Sequence, residues 1–541
     1  MVGANSTSVP PDREAFRSLW VHRRVPAVRM RDRLILSALI TAGLAAVLLL
    51  FDWWFRSTHV REPVLFVVLS VAFWYGISRI LVGWFNYIAV ASLEERPAPA
   101  GKRVAIFTTS SPGEPLSMFE KTLAACARIT YPHTTYLLDD TQDPRFREVA
   151  EKHGAVWLEL VGLPGAKAGK INRALELTDE EFILVLDPDH IPFPNFLDRV
   201  LGYFEDARVG FVQVSQAYYN QFRSFVARAA AEQTYVFYGP VMMGMFGHGV
   251  SLAIGANCTF RRAALESIGG HGIGLAEDLV TTIRLHAAGW KSVYVPEIVS
   301  RGLVPEDLGS FLKQQLKWAR GVFEILFAEL PRLAPRLTWR QRLSYLMIGT
   351  YYLCGTTTLI YIAIPFLYLW FGFLPAAMRF EEFLISILPV GILSAVIYLF
   401  VQRWLCHPDV ERGLHWRGLM LKIGCWPVYV YGTILAVLDR NVPYIPTSKE
   451  ARRGAFGRLA APHLVVLILY CVTIVQVLWT RLFQLSEAEL LLTSEAVWGM
   501  IGFETLSMLM LGGVLYAARE ATQPPAGNAW DAVDLTTEPW R

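Results

Sequence analysis

Six cysteines are scattered over 541 residues, at Cys126, Cys258, Cys354, Cys406, Cys425 and Cys471. No two of them share the close spacing of a metal-ligand pair, which excludes a zinc module and leaves reduced, mostly buried thiols. Charge of either sign is not in excess, with 50 Lys and Arg against 47 Asp and Glu and a formal net charge of +3. There is also no dense basic run interleaved with aromatics, so nucleic acid is excluded as a partner. Charged residues of any kind are scarce, at 18%. What fills their place is apolar: 53% of residues are hydrophobic and mean hydropathy is +0.35. A chain of this length and texture reads as a membrane protein of two or three domains rather than a soluble enzyme.

The first thirty residues are polar and arginine-rich, so the apolar run after them lies too deep, and is too long, for a cleaved signal peptide. Residues 34–55 and 64–91 each supply the ~20 apolar residues that a bilayer-spanning helix needs. Trp53, Trp54, Trp74 and Trp84 add interfacial anchors. Arg13, Arg17, Arg23, Arg24, Arg29, Arg31 and Arg33 put the N-terminus in the cytoplasm by the positive-inside rule, and the chain returns there near Ser92. Apolar segments resume at 346–373, 383–401, 464–480 and 497–517, which makes six spans, two before and four after a long globular stretch. Residues 416–438 are more mixed and read as an amphipathic helix on the membrane surface, with a seventh span as the alternative. The loop 402–462, with Lys449, Arg452, Arg453 and Arg458, faces the cytoplasm; the loop with Glu487, Glu489 and Glu495 faces outside. The expected organisation is a cytoplasmic segment 1–33, two spans in 34–92, a globular domain 93–340 and two spans in 341–403. A cytoplasmic helix and loop 404–461, two spans in 462–517 and a cytoplasmic tail 518–541 complete it.

Within the globular stretch, residues 104–109, 135–138, 156–160 and 182–186 read as buried strands, with helical patterns at 117–127 and 144–153. Alternating strands and helices predict a mainly parallel sheet covered by helices on both faces. Ligands of such sheets sit at the carboxyl ends of the strands, which is where Asp139-Asp140 and Asp187-Pro-Asp189-His190 fall. Carboxylates at that place suit a hard divalent cation, Mg2+ or Mn2+, bridging protein oxygens and a substrate diphosphate. Taken alone, Asp187-Pro-Asp189 is equally a turn after a strand. Glu277-Asp278 offers a base, or an acidic cap on the helix that follows. Gln314 and Trp318, one turn apart, offer a hydrogen-bonding and stacking platform for a sugar; the other reading of Trp318 is an interfacial anchor.

These signatures recur in a fixed order, and in that order the chain resembles the membrane-embedded family 2 glycosyltransferases of the bacterial cellulose synthase type, over roughly 34–517. The resemblance is carried by Leu137-Leu-Asp-Asp140, Ala166-Lys167-Ala-Gly169, Asp187-Pro-Asp189-His190, Gln213, Phe237-Tyr-Gly239 and Gly255-Ala-Asn257 with Arg261-Arg262. Glu277-Asp278, Leu285-His286, Gly289-Trp290, Gly302-Leu-Val-Pro-Glu306 and Gln314 to Trp318 continue the series. It implies an α/β GT-A-like domain in the cytoplasm, set between membrane helices of the plasma (inner) membrane. It implies an inverting hexosyl transfer from a nucleotide sugar, UDP-glucose by family precedent, to a growing β-linked, cellulose-like glycan that is passed across the bilayer.

Residue by residue, the resemblance makes Asp278 the general base with Glu277 beside it. It gives the donor to Asp139, Asp140, Lys167, Asp187 and Lys317, the metal to Asp189 with Asp187, and the acceptor to Gln314 and Trp318. Tyr444-Ile-Pro-Thr447-Ser-Lys449 resembles the family's gating loop, whose Thr447 and Lys449 would close over the nucleotide; an ordinary proline-containing loop is the alternative. Four departures are visible. Ala276 replaces a Thr, and Lys317 replaces an Arg and so lacks the bidentate fork. Thr109 to Glu114 keeps only the acid of the family's turn and loses its base-holding aromatic, and the gating motif has Tyr and Pro for Phe and Val. The residues after Ala517 are expected to be too few and too polar for the cyclic-di-GMP-binding domain fused to many relatives. Accessory envelope subunits are possible partners. Two other readings stand beside this one: a transferase that adds a single sugar to a lipid-linked acceptor, and a non-catalytic membrane scaffold or transporter.

Overall fold

The protein is described from a computed structural model, over residues 19–21, 23–440, 442, 448–483, 494–537 and 539–540. Two long apolar helices open it, α1 (Met30–Trp54) and α2 (Pro63–Ile88). Pro63 starts the second, where its missing N–H costs nothing. The two are sewn together by aromatics: Trp54 stacks on Phe73 with ring centroids 4.1 Å apart, and its indole N–H donates to Ser70 Oγ at 2.9 Å. In an apolar medium that indole needs such a partner.

The globular domain then runs β1 (Val104–Thr109), α3 (Leu116–Cys126), β2 (Thr134–Asp139), α4 (Pro144–Lys152), β3 (Val156–Glu159), α5 (Ala166–Leu177) and β4 (Phe182–Val185). It continues with β5 (Ile191–Pro192), β6 (Val209–Val214), α6 (Phe225–Glu232), β7 (Cys258–Arg261), α7 (Glu277–Ala287), β8 (Lys291–Val295), β9 (Ser300–Arg301) and α8 (Leu308–Glu324). Seven strands form one sheet in the order β3-β2-β1-β4-β7-β6-β8, and β5 pairs with β9 in a small second one. β1 to β4 are parallel to one another, whereas β7 is antiparallel to both β4 and β6. Alternation along β1 explains the layering: Ala105 and Phe107 pack into one apolar cluster with α5, and Val104 and Ile106 into another on the opposite face. Because β1, β2 and β4 point the same way and β7 the other, the loops 110–114, 139–141 and 187–190 and the approach to β7 at 255–257 converge on one sheet edge. The mainly parallel, doubly covered sheet expected from the sequence is what forms.

After the domain come α9 (Trp339–Gly349), α10 (Cys354–Phe371), α11 (Phe380–Val401), α12 (Trp416–Gly424), α13 (Trp426–Val437), α14 (Phe456–Phe483) and α15 (Ser494–Glu520). Among the described residues six helical segments are long and apolar enough to cross a membrane, the third being 339–371, built from α9 and α10. Two precede the domain and four follow it, so this is a multi-pass membrane protein. Where one surface helix is expected over 416–438, the chain forms two helices bent by 47° at Cys425, with Pro427 opening the second. α12 packs on α6 and α15, and α13 on α8 and α10. Gly432 of α13 lies against Ala319 of α8, a contact that a side chain there would crowd. The segment after α15 is also more than a polar tail: Trp530 and Val533 are buried against the domain.

Candidate active site

The carboxyl end of β2 supplies Asp139 and Asp140. Asp139 is buried and wholly engaged with protein. Its Oδ1 accepts from Ser110 Oγ, from Thr141 N at 3.0 Å and from Thr141 Oγ1 at 2.8 Å; its Oδ2 accepts from the Trp157 indole at 3.0 Å. It thereby ties the loops after β1 and β2 to strand β3. Asp140, half-buried, accepts from Gly162 N at 3.0 Å and keeps its other oxygen 3.7 Å from Lys170 Nζ. Lys170, buried one turn beyond Lys167 on α5, donates to the Ser110 carbonyl and, at 3.2 Å, to Ser111 Oγ. Burial pulls its ammonium below the usual lysine range despite Asp140 and Glu114. Glu114 itself is pushed up to about 7, chiefly by burial, against the pull of Lys449.

Beyond β4 the chain makes a tight turn, His190 N donating to the Asp187 carbonyl at 3.0 Å. Asp187, Asp189 and His190 bring one ligand atom each within 4.8 Å of one another. Asp189 Oδ1 accepts from His190 Nδ1 at 2.9 Å, and Oδ2 from Lys449 Nζ at 2.7 Å. Burial alone would raise the Asp189 carboxyl, but Lys449 and His190 hold it well below the usual range. Asp187 is half-buried; desolvation would raise it too, but it is held low by Lys167, whose ammonium also donates to the Gly255 carbonyl. Two ionised carboxylates and an imidazole, already compensated by a lysine cation, are a donor set that fits Mg2+ or Mn2+. The turn is supported from both sides. Thr122 Oγ1 donates to the Pro188 carbonyl at 2.6 Å, and Gly302 lies so close to the His190 ring that any side chain there would overlap it.

On the other side of the site α7 begins with Glu277 and Asp278. Ala276 provides no capping side chain; instead Asp278 Oδ1 accepts from Leu279 N at 2.8 Å. Asp278 Oδ2 faces Gly255, whose φ of +81° keeps a glycine there, and a Cβ on it would lie 3.4 Å from that oxygen. Burial first, and the Glu277 charge second, push Asp278 up to about 7. Gly321 of α8 sits against Leu275 and Ala276, which brings Lys317, one turn earlier, to face Glu277 and Asp278. Burial lowers the Lys317 ammonium, and the two acids only partly offset it. Gln314 is half-buried on the same helix, and Trp318 is 40% exposed, which leaves indole surface open for stacking. Gln213 clasps the loop before β7 rather than lining the site: its Nε2 donates to the Ala256 and Asn257 carbonyls at 2.9 and 3.1 Å.

The structure thus brings Asp139, Asp140, Lys167, Asp187, Asp189, Glu277, Asp278, Lys317 and Lys449 to one sheet edge. Thr447 lies outside the described residues. Sequence reasoning missed Lys170 and Thr122. The first carried a faint signal, its three-residue spacing from Lys167 on a helix; the second carried none.

Residues 182–400 match the family model described as Glycosyl transferase family group 2. The Cellulose synthase catalytic subunit (UDP-forming) of Komagataeibacter sucrofermentans is 29% identical over 327 residues, 58% of this chain and 43% of that protein. Its counterpart in Pseudomonas fluorescens is 28% identical over 378 residues, 66% of this chain and 50% of that protein. Residues 182–400 are thus a glycosyltransferase domain of family group 2, and the chain is similar to cellulose synthase catalytic subunits. It spans half or less of the length of these curated relatives. Among solved structures, a mannosyltransferase from Pyrobaculum calidifontis in complex with GDP-Man and Mn2+ is 16% identical, with a TM-score of 0.49, covering 70% of this chain and 100% of that one. In this glycosyltransferase the seven-stranded sheet forms the globular domain, and the membrane helices flank it on both sides in sequence.

Proposed function

We propose that this protein is an inverting transferase of the plasma (inner) membrane, its domain on the cytoplasmic side. It would move a hexosyl group, glucose from UDP-glucose in the first instance, to the end of a β-linked, cellulose-like glycan that leaves through the membrane helices. The observation that carries the reading is one edge holding both a turn suited to a cation, its acids kept ionised by lysines, and a desolvated carboxyl lifted to about 7. Asp278 takes the proton of the acceptor hydroxyl as that oxygen attacks the anomeric carbon, opposite the departing diphosphate. An α-linked donor then gives a β-linked product. Asp187, Asp189 and His190 would hold Mg2+ or Mn2+, which when bound neutralises charge on the leaving diphosphate. Lys167, Lys317 and Lys449 add positive charge from three directions. Asp140 and Lys170 face the base and ribose end, with Asp139 holding their loops. Trp318 and Gln314 seat the acceptor sugar, on a helix that packs directly against the membrane-proximal α13.

The test is incubation of the lipid-reconstituted protein with radiolabelled UDP-glucose and Mn2+ or Mg2+, followed by sizing and linkage-specific glucanase digestion. A long, β-glucanase-sensitive polymer that disappears in Asp278→Asn is the expected result. Label confined to a small lipid fraction would replace polymerisation with single addition, and incorporation only from another nucleotide sugar would replace the donor.

A further inference from the structure

The segment after α15 plays no part in the chemistry above, yet it is firmly built into the domain. Trp530 is fully buried, and its indole N–H donates to Ser117 Oγ at 3.0 Å. Lys121 Nζ donates to the Val533 carbonyl, also at 3.0 Å. The Trp540 indole donates to the Pro192 carbonyl at 2.9 Å, and its ring lies 4.7 Å from Trp20 and 5.8 Å from Phe193. At the root of the segment, Arg223 Nη2 donates to the carbonyls of Ala526 and Gly527, at 3.0 and 2.6 Å. Glu520, the last residue of α15, accepts from Phe225 N at 3.0 Å.

Followed inward, these contacts end on the same turn. Ser117 and Lys121 lie on α3, the helix whose Thr122 hydroxyl holds the Pro188 carbonyl at 2.6 Å. Trp540 holds Pro192 directly. Pro188 and Pro192 bracket Asp189 and His190, and a proline has no N–H, so its carbonyl is the one main-chain handle it offers. Apolar packing alone would cover the domain anywhere. Here the polar anchors converge on the main chain to either side of the cation ligands.

We propose that residues 526–537 and 539–540 form a strap that positions Asp189 and His190 and couples them to the end of the last membrane helix, with Trp540 and Trp530 as positioning residues. The inference rests on the reading of Asp187, Asp189 and His190 as cation ligands. Ligand atoms must hold their places to within roughly 0.2 Å for good coordination, so a support two steps away is felt in metal affinity.

The experiment is Mn2+ binding to the full-length reconstituted protein, read by electron paramagnetic resonance of free Mn2+, for the unsubstituted chain and for Trp540→Ala, Trp540→Phe and Phe146→Ala. Phe146 belongs to the same apolar cluster and packs edge-on to Phe119, and its side chain has no polar atom to take part in the hydrogen bonds of the strap. Trp540→Ala should weaken Mn2+ binding about tenfold, in the range seen when outer supports of metal ligands are removed. Its KM for donor should rise while kcat at saturating Mn2+ is retained. Trp540→Phe keeps the ring but not the donor and should fall between. Phe146→Ala should lower the melting temperature and leave Mn2+ affinity alone. Unchanged affinity in both Trp540 variants, or an equal loss in Phe146→Ala, overturns the strap. Should Trp540→Ala not fold, Trp540→Phe decides alone. No Mn2+ binding by the unsubstituted protein would instead overturn the ligand reading beneath it.

Discussion

A carboxylate serves as a base near neutral pH only if something makes its charged form costly. For Asp278 that is burial beside Glu277, which lifts it to about 7. Below that value the base is protonated, so kcat/KM should climb about tenfold per pH unit and then level off above it. Asp278→Asn should lower turnover by ~10²- to 10⁴-fold and leave UDP and Mn2+ binding intact, which equilibrium binding beside initial rates will show. Lys449 allows a sharper test, because its ammonium touches a carboxylate oxygen assigned to the cation. In Lys449→Gln, Mn2+ should bind more tightly without nucleotide, since a competing cation is gone, while the KM for donor rises. Weaker Mn2+ binding in that variant would mean that Lys449 helps to shape the site rather than competing for it. Asp139 shows how far a motif can be read: its place at the strand end was legible, but its full engagement with Ser110, Thr141 and Trp157 was not. Those partners are recruited from two loops and a neighbouring strand.

At the scale of elements, α8 carries the proposed acceptor platform on one face and its membrane-side packing on another. Gln314, Lys317 and Gly321 follow one stripe toward 275–278, while Gln315 and Ala319 meet α13, Gln315 accepting from the Tyr429 hydroxyl at 2.9 Å. Gly321 sets the approach of the helix to Ala276. Gly321→Val should overpack that contact, at about 1–3 kcal/mol, and push Lys317 and Trp318 outward. A lower melting temperature and a lower kcat, with UDP affinity unchanged, are expected; an unchanged kcat would show that α8 can move without cost to the reaction. β1 and β4 were legible as apolar runs because these central strands are buried on both faces, whereas β3, expected to be buried, lies at the sheet edge with Val156 41% exposed. The break between α12 and α13 was not, since hydropathy averages over a window and passes across a bend.

For the whole molecule, Glu114, Asp278 and Glu411 are each raised to about 7, mainly by burial. Between the ordinary carboxylate range near ~4 and pH 7, the native state therefore holds more protons than the unfolded chain. Stability should fall as pH rises through that window and flatten above it. Asp187 and Asp189, held low, act in the opposite sense, and their contribution is lost only as the medium becomes acid enough to protonate them. Thermal unfolding in lipid nanodiscs should thus give a higher melting temperature at pH 5.5 than at 7.5 in buffers spanning about this range. A rising trend across the interval would contradict it. UDP with Mn2+ should recover part of the loss at pH 7.5, because both bind the native state.

The sequence by itself determined the membrane-spanning segments, the covered parallel strands and the order of the motifs. Each of these is a local property: an apolar run long enough for a bilayer, or a carboxylate at the end of a buried strand. Only the tertiary structure decided which acids are spent on the scaffold and which face the site, that Lys449 meets Asp189 across 260 residues, and that the segment after α15 holds Pro192 just beyond the Asp187–His190 turn. Those outcomes depend on burial and pairing between distant stretches of chain. Such terms arise only when the chain is folded, so no window of sequence contains them.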